Sequence, residues 1–301
     1  VIGLTLWRSS RFDLALADSE ALLRAVRPPL VCLHLWPTDD SARYVEAVRA
    51  ILPDVRVWLS PGCNGLADDS LADVRAQARR WARRAIEQGA ECLLLNLEGS
   101  SAPGYPGWTS SDPTTLASLA DRARALLEEV ATTAPSVALG LTSHDCPSWH
   151  HLPWSALLGE RSPVTIHAPQ VYPGIKRPGA SLAACRARWS LATRQWASFV
   201  QRGVVRADLG PQGSGWVTYT QGWGAAVAGS CWLLDQRDRG LVWASPTRLW
   251  PEGRAALAAS CEVRRQAGDS AGAIARWQAS KSLAADGIVG PRTLAALGLA
   301  V

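Results

Sequence analysis

The chain has 301 residues, 48% of them hydrophobic, with a mean hydropathy near zero and a net charge of +5 at neutral pH. That is enough chain to bury a full core and to carry a small appendage beside one large domain. It lacks the ~18 to 20 uninterrupted apolar residues of a membrane span, and "VIGLTLWRSS" at its start has neither a basic leader nor a small-residue cleavage site.

A pI near 9.0 favours an anionic partner such as cell-wall polymer, nucleic acid or a membrane surface. The arginines, however, are dispersed over helix faces, so neither a nucleic-acid nor a membrane partner is expected. The seven cysteines share no CxxC spacing and several sit inside apolar runs, which reads as reduced core thiols made in a cytoplasm. The 15 tryptophans against two phenylalanines supply indole faces, and these serve either as core or as platforms for sugar rings.

In chain order, apolar runs predict strands at Val1–Trp7, Leu30–Trp36, Val55–Ser60, Glu91–Gly99, Ser136–Ser143, Val164–Tyr172, Gly203–Gly210 and Gly229–Gln236. Amphipathic helices separate them, clearest at Asp69–Gly89 and Asp112–Pro135; in the latter Asp112 is an N-cap and Pro113 opens the helix. Strand and helix alternating eight times predict an α/β fold, a (β/α)8 TIM barrel over residues 1–249, rather than an open doubly wound sheet. No Gly-rich phosphate fingerprint follows the first strand. After the break at "WPEGRAAL" the strands stop, and residues 250–301 read as a small C-terminal domain of three helices, Glu252–Gln266, Ser270–Lys281 and Pro291–Leu297.

That last segment carries "ARWQASKSLAADGIVGPRTLAAL". Asp286-Gly287 and Gly290 supply turn positions, and Pro291 and Thr293 open a short helix. Trp277, Gln278, Leu283, Asp286, Gly287, Gly290 and Thr293 resemble, in spacing, the second half of the three-helix peptidoglycan-binding domain. The upstream half, "CEVRRQAGDSAG", is shorter than that family's first repeat. The resemblance implies bacterial peptidoglycan as partner, with Trp277, Asp286 and Thr293 as wall-binding residues.

In a barrel of this type, chemistry sits where strands end. The fourth strand closes on "LLLNLEGS", and alternation puts Leu94, Asn96 and Glu98 on one side and Leu93, Leu95 and Leu97 on the other. Glu98, a poor capping residue after an apolar strand, suits a general acid. Asp235 and Trp232 on the eighth predicted strand, Asp208 on the seventh, and Gln170 and Tyr172 on the sixth are the other polar or aromatic candidates. Asp235 is the first choice for a second carboxylate, and Asn96, Gln170, Tyr172, Asp208 and Trp232 are expected to bind substrate. Acids at strand ends also cap helices, which is the competing role for Asp208, Asp235 and Asp145. Trp7, Trp36 and Trp58, with Trp232, either floor a saccharide cleft or pack in the barrel wall.

With its wall-binding segment, the barrel resembles the glycoside-hydrolase-like barrels of phage and bacterial cell-wall lysins, muramidases included, which end a central strand on acid-x-Glu. Asn96 departs from that pattern, where many such enzymes have Asp. Three alternatives follow: the second acid comes from another strand, the substrate's acetamido group assists, or the barrel is inactive. The resemblance implies hydrolysis between N-acetylmuramic acid and N-acetylglucosamine, without cofactor or metal. The protein would reach the wall by lysis or carried by a larger phage-like particle. Two other classes compete. His144, Asp145, His150 and His151 could bind zinc for a wall amidase or peptidase, whereas a non-catalytic wall-binding scaffold predicts Glu98 alone in a plugged mouth. His34 and His167 read as satisfied core residues.

Overall fold

The computed structural model describes residues 2–7, 20–35 apart from 22 and 25, 41–98, 107–171, 182–209, 217–219, 240–244, 258, 261–268, 271–287 and 291–296. Its strands are β1 (Ile2–Trp7), β2 (Leu30–Leu35), β3 (Arg56–Pro61), β4 (Cys92–Asn96), β5 (Ala138–Thr142), β6 (Ile166–His167), β7 (Gln170–Val171), β8 (Val217–Tyr219) and β9 (Gly240–Ala244). The helices among and after them are α1 (Ser41–Ile51), α2 (Leu71–Glu87), α3 (Pro113–Thr133), α4 (Trp154–Leu158), α5 (Leu182–Gln201), α6 (Ala271–Ser280) and α7 (Pro291–Ala296).

All pairings in the sheet are parallel, in the order β6-β5-β4-β3-β2-β1-β9-β8-β7. Its two end strands, β6 and β7, are separated in the chain only by Ala168 and Pro169. Parallel neighbours require crossovers, and α1, α2 and α3 supply three of them. Local chemistry starts these helices cleanly. Ser70 caps α2, its hydroxyl accepting from the Asp73 N–H at 3.2 Å. Asp112 caps α3, accepting from the Thr115 N–H at 2.7 Å ahead of Pro113.

The two faces of the sheet bury different things. Outward, Val31, Leu33, Leu59, Leu93, Leu95 and Leu141 join helix residues such as Val74, Trp81, Leu126 and Trp196 in one large apolar core. Inward, a smaller cluster holds Leu30, Cys32, Cys92, Leu94 and Ala168, with Trp58 packed against it. The alternation expected along β4 is thus realised, odd leucines to the helices and Leu94 to the inside. Gly140 lets the inner face close, because a Cβ there would lie 2.7 Å from Leu94 Cδ1. Cys32, Cys63, Cys92, Cys146 and Cys261 are free and buried. Burial pushes the Cys146 thiol up to about 12 and those of Cys63 and Cys92 well above their ordinary value.

One strand expectation needs correction, and another falls on residues outside the description. Gly203–Gly210 forms no strand through its described residues; Gly203 leaves α5 at φ +68° and a 3-10 turn follows at Ala207–Leu209. Its short apolar run is used to close a helix. Gly229–Gln236 lies outside the described residues, and the place beside β1 is taken by β9, which begins at Gly240, after Asp235 in the chain.

Towards the C-terminus, residues 261–267 are helical and anchored to the first part of the chain. Cys261 belongs to the large core, and Arg265 Nη1 donates to the Arg27 carbonyl at 3.0 Å. Beyond it, Gln278, exposed by only 1%, organises a turn. Its Nε2 donates to Asp286 Oδ1 at 2.9 Å and to Thr293 Oγ1 at 3.1 Å, while its Oε1 accepts from the Gly287 N–H at 2.8 Å. Gly287 has φ +72°, a conformation that glycine adopts without strain. Among the described residues, no helix is long and apolar enough to cross a membrane.

Candidate active site

The inner face becomes polar where the strands end. His34 at the end of β2 stands level with Ser60 on β3, Asn96 on β4 with Thr142 on β5, and His144 with Gln170 through an isolated bridge. His34, Ser60, Asn96, Thr142 and Gln170 are all buried. Glu98, two residues beyond Asn96 on the same side, is half-buried.

Gln170 joins the two residues from β4. Its Nε2 donates to Asn96 Oδ1 at 2.8 Å and to Glu98 Oε1 at 2.5 Å. Main-chain contacts hold the Glu98 segment. The Glu98 N–H donates to Asn64 Oδ1 at 2.9 Å, and its carbonyl accepts from the Trp108 N–H at 3.2 Å. Trp108 is fully buried, with its indole N–H on the Cys63 carbonyl at 3.0 Å, and the Cys63 N–H donates to the Asn96 carbonyl at 3.0 Å. The acid is therefore fixed through its backbone and one amide. Thr142 Oγ1, on the inner face level with Asn96, is buried with no hydrogen-bond partner among the described residues.

The other candidates fall elsewhere. Asp208 sits in the 3-10 turn and is gripped by Arg206 at 2.9 Å through both oxygens. Hydrogen bonds from that guanidinium hold its carboxyl below the usual range. Arg206 also donates to the carbonyls of Ser162 and Val164, which precede β6. Asp208 therefore lies at the strand-start end of the sheet, opposite Glu98, and does not join it. Asp145 is paired with Arg188 at 2.5 Å, and burial pushes its carboxyl up against the pull of that arginine. Tyr172, Asp235, Trp232 and Trp36 lie outside the described residues, and for Trp7 only the strand is described. Trp58 packs against the inner cluster. His144 and His150 stack face to face, centroids 3.5 Å apart and planes at 10°. Parallel rings do not converge their nitrogens on one ion, and the described residues hold no group of three metal-ligating side chains.

Asp286 and Thr293 are occupied by Gln278, Thr293 being only 3% exposed; Trp277, half-buried, donates to Gln266 Oε1 at 3.1 Å. Their described contacts shape the turn and the helix pair. Three features escaped the sequence reading. One is the bond from Gln170 to Glu98 across 72 residues, a second the Trp108 anchor, and the third the exposed Trp149 beside the histidine stack. Only the apolar-polar switch at the end of each run hinted at the first.

No family model and no curated protein matches the sequence. Solved structures do. A glucosidase from Croceicoccus marinus aligns with 81% of this chain at a TM-score of 0.50 and 9% identity, and this chain spans 63% of that one. An endocellulase from Pyrococcus horikoshii, solved with cellotetraose, aligns with 86% of this chain and 92% of its own, at TM-score 0.52 and 11% identity. A chitinase from Rhizomucor miehei aligns over 87% and 98% of the two chains, at TM-score 0.52 and 11% identity. The chain shares with these enzymes a TIM-barrel-like α/β fold with a parallel sheet.

Proposed function

We propose that the protein is a glycoside hydrolase of bacterial peptidoglycan, muramidase-like, built on a closed (β/α)8 barrel with Glu98 as general acid. Closure is supported by register. The level of Val171 passes through paired residues to Thr218, Val242, Leu4, Val31 and Val57. Carried across β4 and β5, it returns ahead of β6 at Pro163, eight residues before Val171. That offset is the shear of an eight-stranded barrel, with β6 and β7 as halves of one strand.

The observation that carries the reaction is the Glu98 carboxylate held by Gln170 beside Asn96, at the strand-end mouth of this fold. Two amides flank the acid. Asp145 and Asp208 are committed to arginines, and Asp235 precedes β9 instead of ending the strand beside β1. These facts favour assistance by the substrate over a second carboxylate. The acetamido carbonyl oxygen of an N-acetylated sugar attacks C1 while Glu98 gives its proton to the departing glycosidic oxygen. Glu98, now a carboxylate, then takes a proton from the water that opens the cyclic intermediate. Asn96, Gln170 and Thr142 position the acetamido group, and Tyr172 and Trp232 remain candidate contacts.

The wall as substrate rests on the C-terminal segment, whose Trp277-Gln278, Asp286-Gly287 and Thr293 follow peptidoglycan-binding spacing around a well-formed turn. Incubation with purified peptidoglycan, borohydride reduction and mass analysis of the fragments tests the proposal. Reduced N-acetylmuramic acid ends are expected. Release of peptides alone, or of nothing, would contradict it.

A further inference from the structure

Among the described tryptophans, Trp149 is the one exposed as a large hydrophobic side chain. Trp81, Trp108, Trp154 and Trp196 are each exposed by 5% or less, whereas Trp149 is 52% exposed. It lies in the 3-10 turn Pro147–Trp149, which follows β5 at the same end of the sheet as Glu98. The connection to the site is continuous: Gln170 contacts Glu98, His144 bridges to Gln170, His150 stacks on His144, and Trp149 precedes His150.

An exposed indole on a loose loop would lose much of its binding energy to ordering, but this one is held in place. The Trp154 indole N–H donates to the carbonyls of Pro147 at 3.2 Å and His150 at 3.1 Å. The Ser148 hydroxyl donates to Gln195 Oε1 of α5 at 2.5 Å. The Arg188 guanidinium lies 4.5 Å from the Trp149 ring centroid and is itself fixed by Asp145 at 2.5 Å. One indole face is therefore clamped beneath a cation and the ring is locked in orientation. About half of the side chain stays exposed beside that contact. A rigid, half-exposed indole of this kind fits the axial C–H face of a pyranose ring.

We propose that Trp149, braced by Arg188, is a sugar-binding subsite that stacks a pyranose of the glycan next to the residue held at Glu98. The proposal rests on reading Glu98 as the acid of a hydrolase of N-acetylated glycan. It adds a specificity residue outside the reacting atoms.

The test uses the full chain carrying Glu98→Gln, with and without Trp149→Ala or Trp149→Phe, titrated by calorimetry with tetra-N-acetylchitotetraose. Trp149→Ala should weaken binding about tenfold, and Trp149→Phe should restore most of it, at unchanged thermal midpoint. Equal affinity of the Ala variant and its parent would overturn the subsite, as would absence of binding by the parent. If the wild-type chain cleaves no glycan yet binding still depends on Trp149, the subsite stands and the catalytic reading fails.

Discussion

Two buried glutamines do the same chemistry in two regions, with opposite results. In the C-terminal segment, Gln278 donates to Asp286 and Thr293 and accepts from Gly287, closing a loop of neighbours within 15 residues of it. In the sheet, Gln170 donates to Asn96 and Glu98, reaching back 74 and 72 residues. The first network folds in on itself and stabilises a turn. The second ends on a half-buried carboxylate just beyond the end of β4. The two differ in reach: Gln278 ties together residues of one turn and the helix after it, whereas Gln170 gathers side chains that meet only once the sheet has assembled.

The largest expected effect separates the two regions by acid. His34 and His167 are buried in the sheet, and burial pushes their pKa values down to about 4 and about 3, although a bond to the Leu209 carbonyl partly opposes the second. Below pH 6.5 the unfolded chain takes up protons that the folded sheet refuses, so stability is complete above that pH and falls as the pH drops towards 4. Urea unfolding at pH 5 against pH 7 should show a loss of about 2 kcal/mol per histidine. Gln278 and its partners contain no histidine, so a fluorine probe near Trp277 should show no matching local loss before the sheet melts.

Next, Gln170→Ala should lower kcat about a hundredfold with the fold intact, since it removes a donor from Glu98. Loss of folding without a change in residual kcat would make Gln170 as structural as Gln278. Conversely, Gln278→Ala should cost about 1 to 3 kcal/mol by orphaning buried partners, seen in the melting of the C-terminal segment. Its hydrolysis of a soluble glycan oligomer should be unchanged. Asp208→Asn should give the smallest effect, below about 0.5 kcal/mol, because its carboxylate is 64% exposed and its ion pair with Arg206 is screened by solvent. Glycan turnover should not change, because the residue lies at the far end of the sheet.

The contrast also explains what could be read in advance. Leu93 to Glu98 alternate with period two, so the direction of Asn96 and Glu98 was legible, as was the Asp112 cap beside its own helix. The Gln278 turn was legible as spacing because all its contacts are local. Gly203–Gly210 misled because an apolar pair beside glycine serves a helix end as well as a strand. The strands β8 and β9 were passed over in favour of the apolar runs at Gly203–Gly210 and Gly229–Gln236, which carry the same short pattern. The meeting of Gln170 with Glu98, and the path from Glu98 to Trp149, exist only after the sheet has assembled. No local pattern encodes them.

The account stands on Glu98. Wild-type protein and the Glu98→Gln variant, incubated with purified peptidoglycan at equal concentration, should differ by about 10² to 10⁴-fold in release of reducing ends, with equal sedimentation on the insoluble wall. Equal release by the two proteins would contradict the assignment of Glu98 as the general acid.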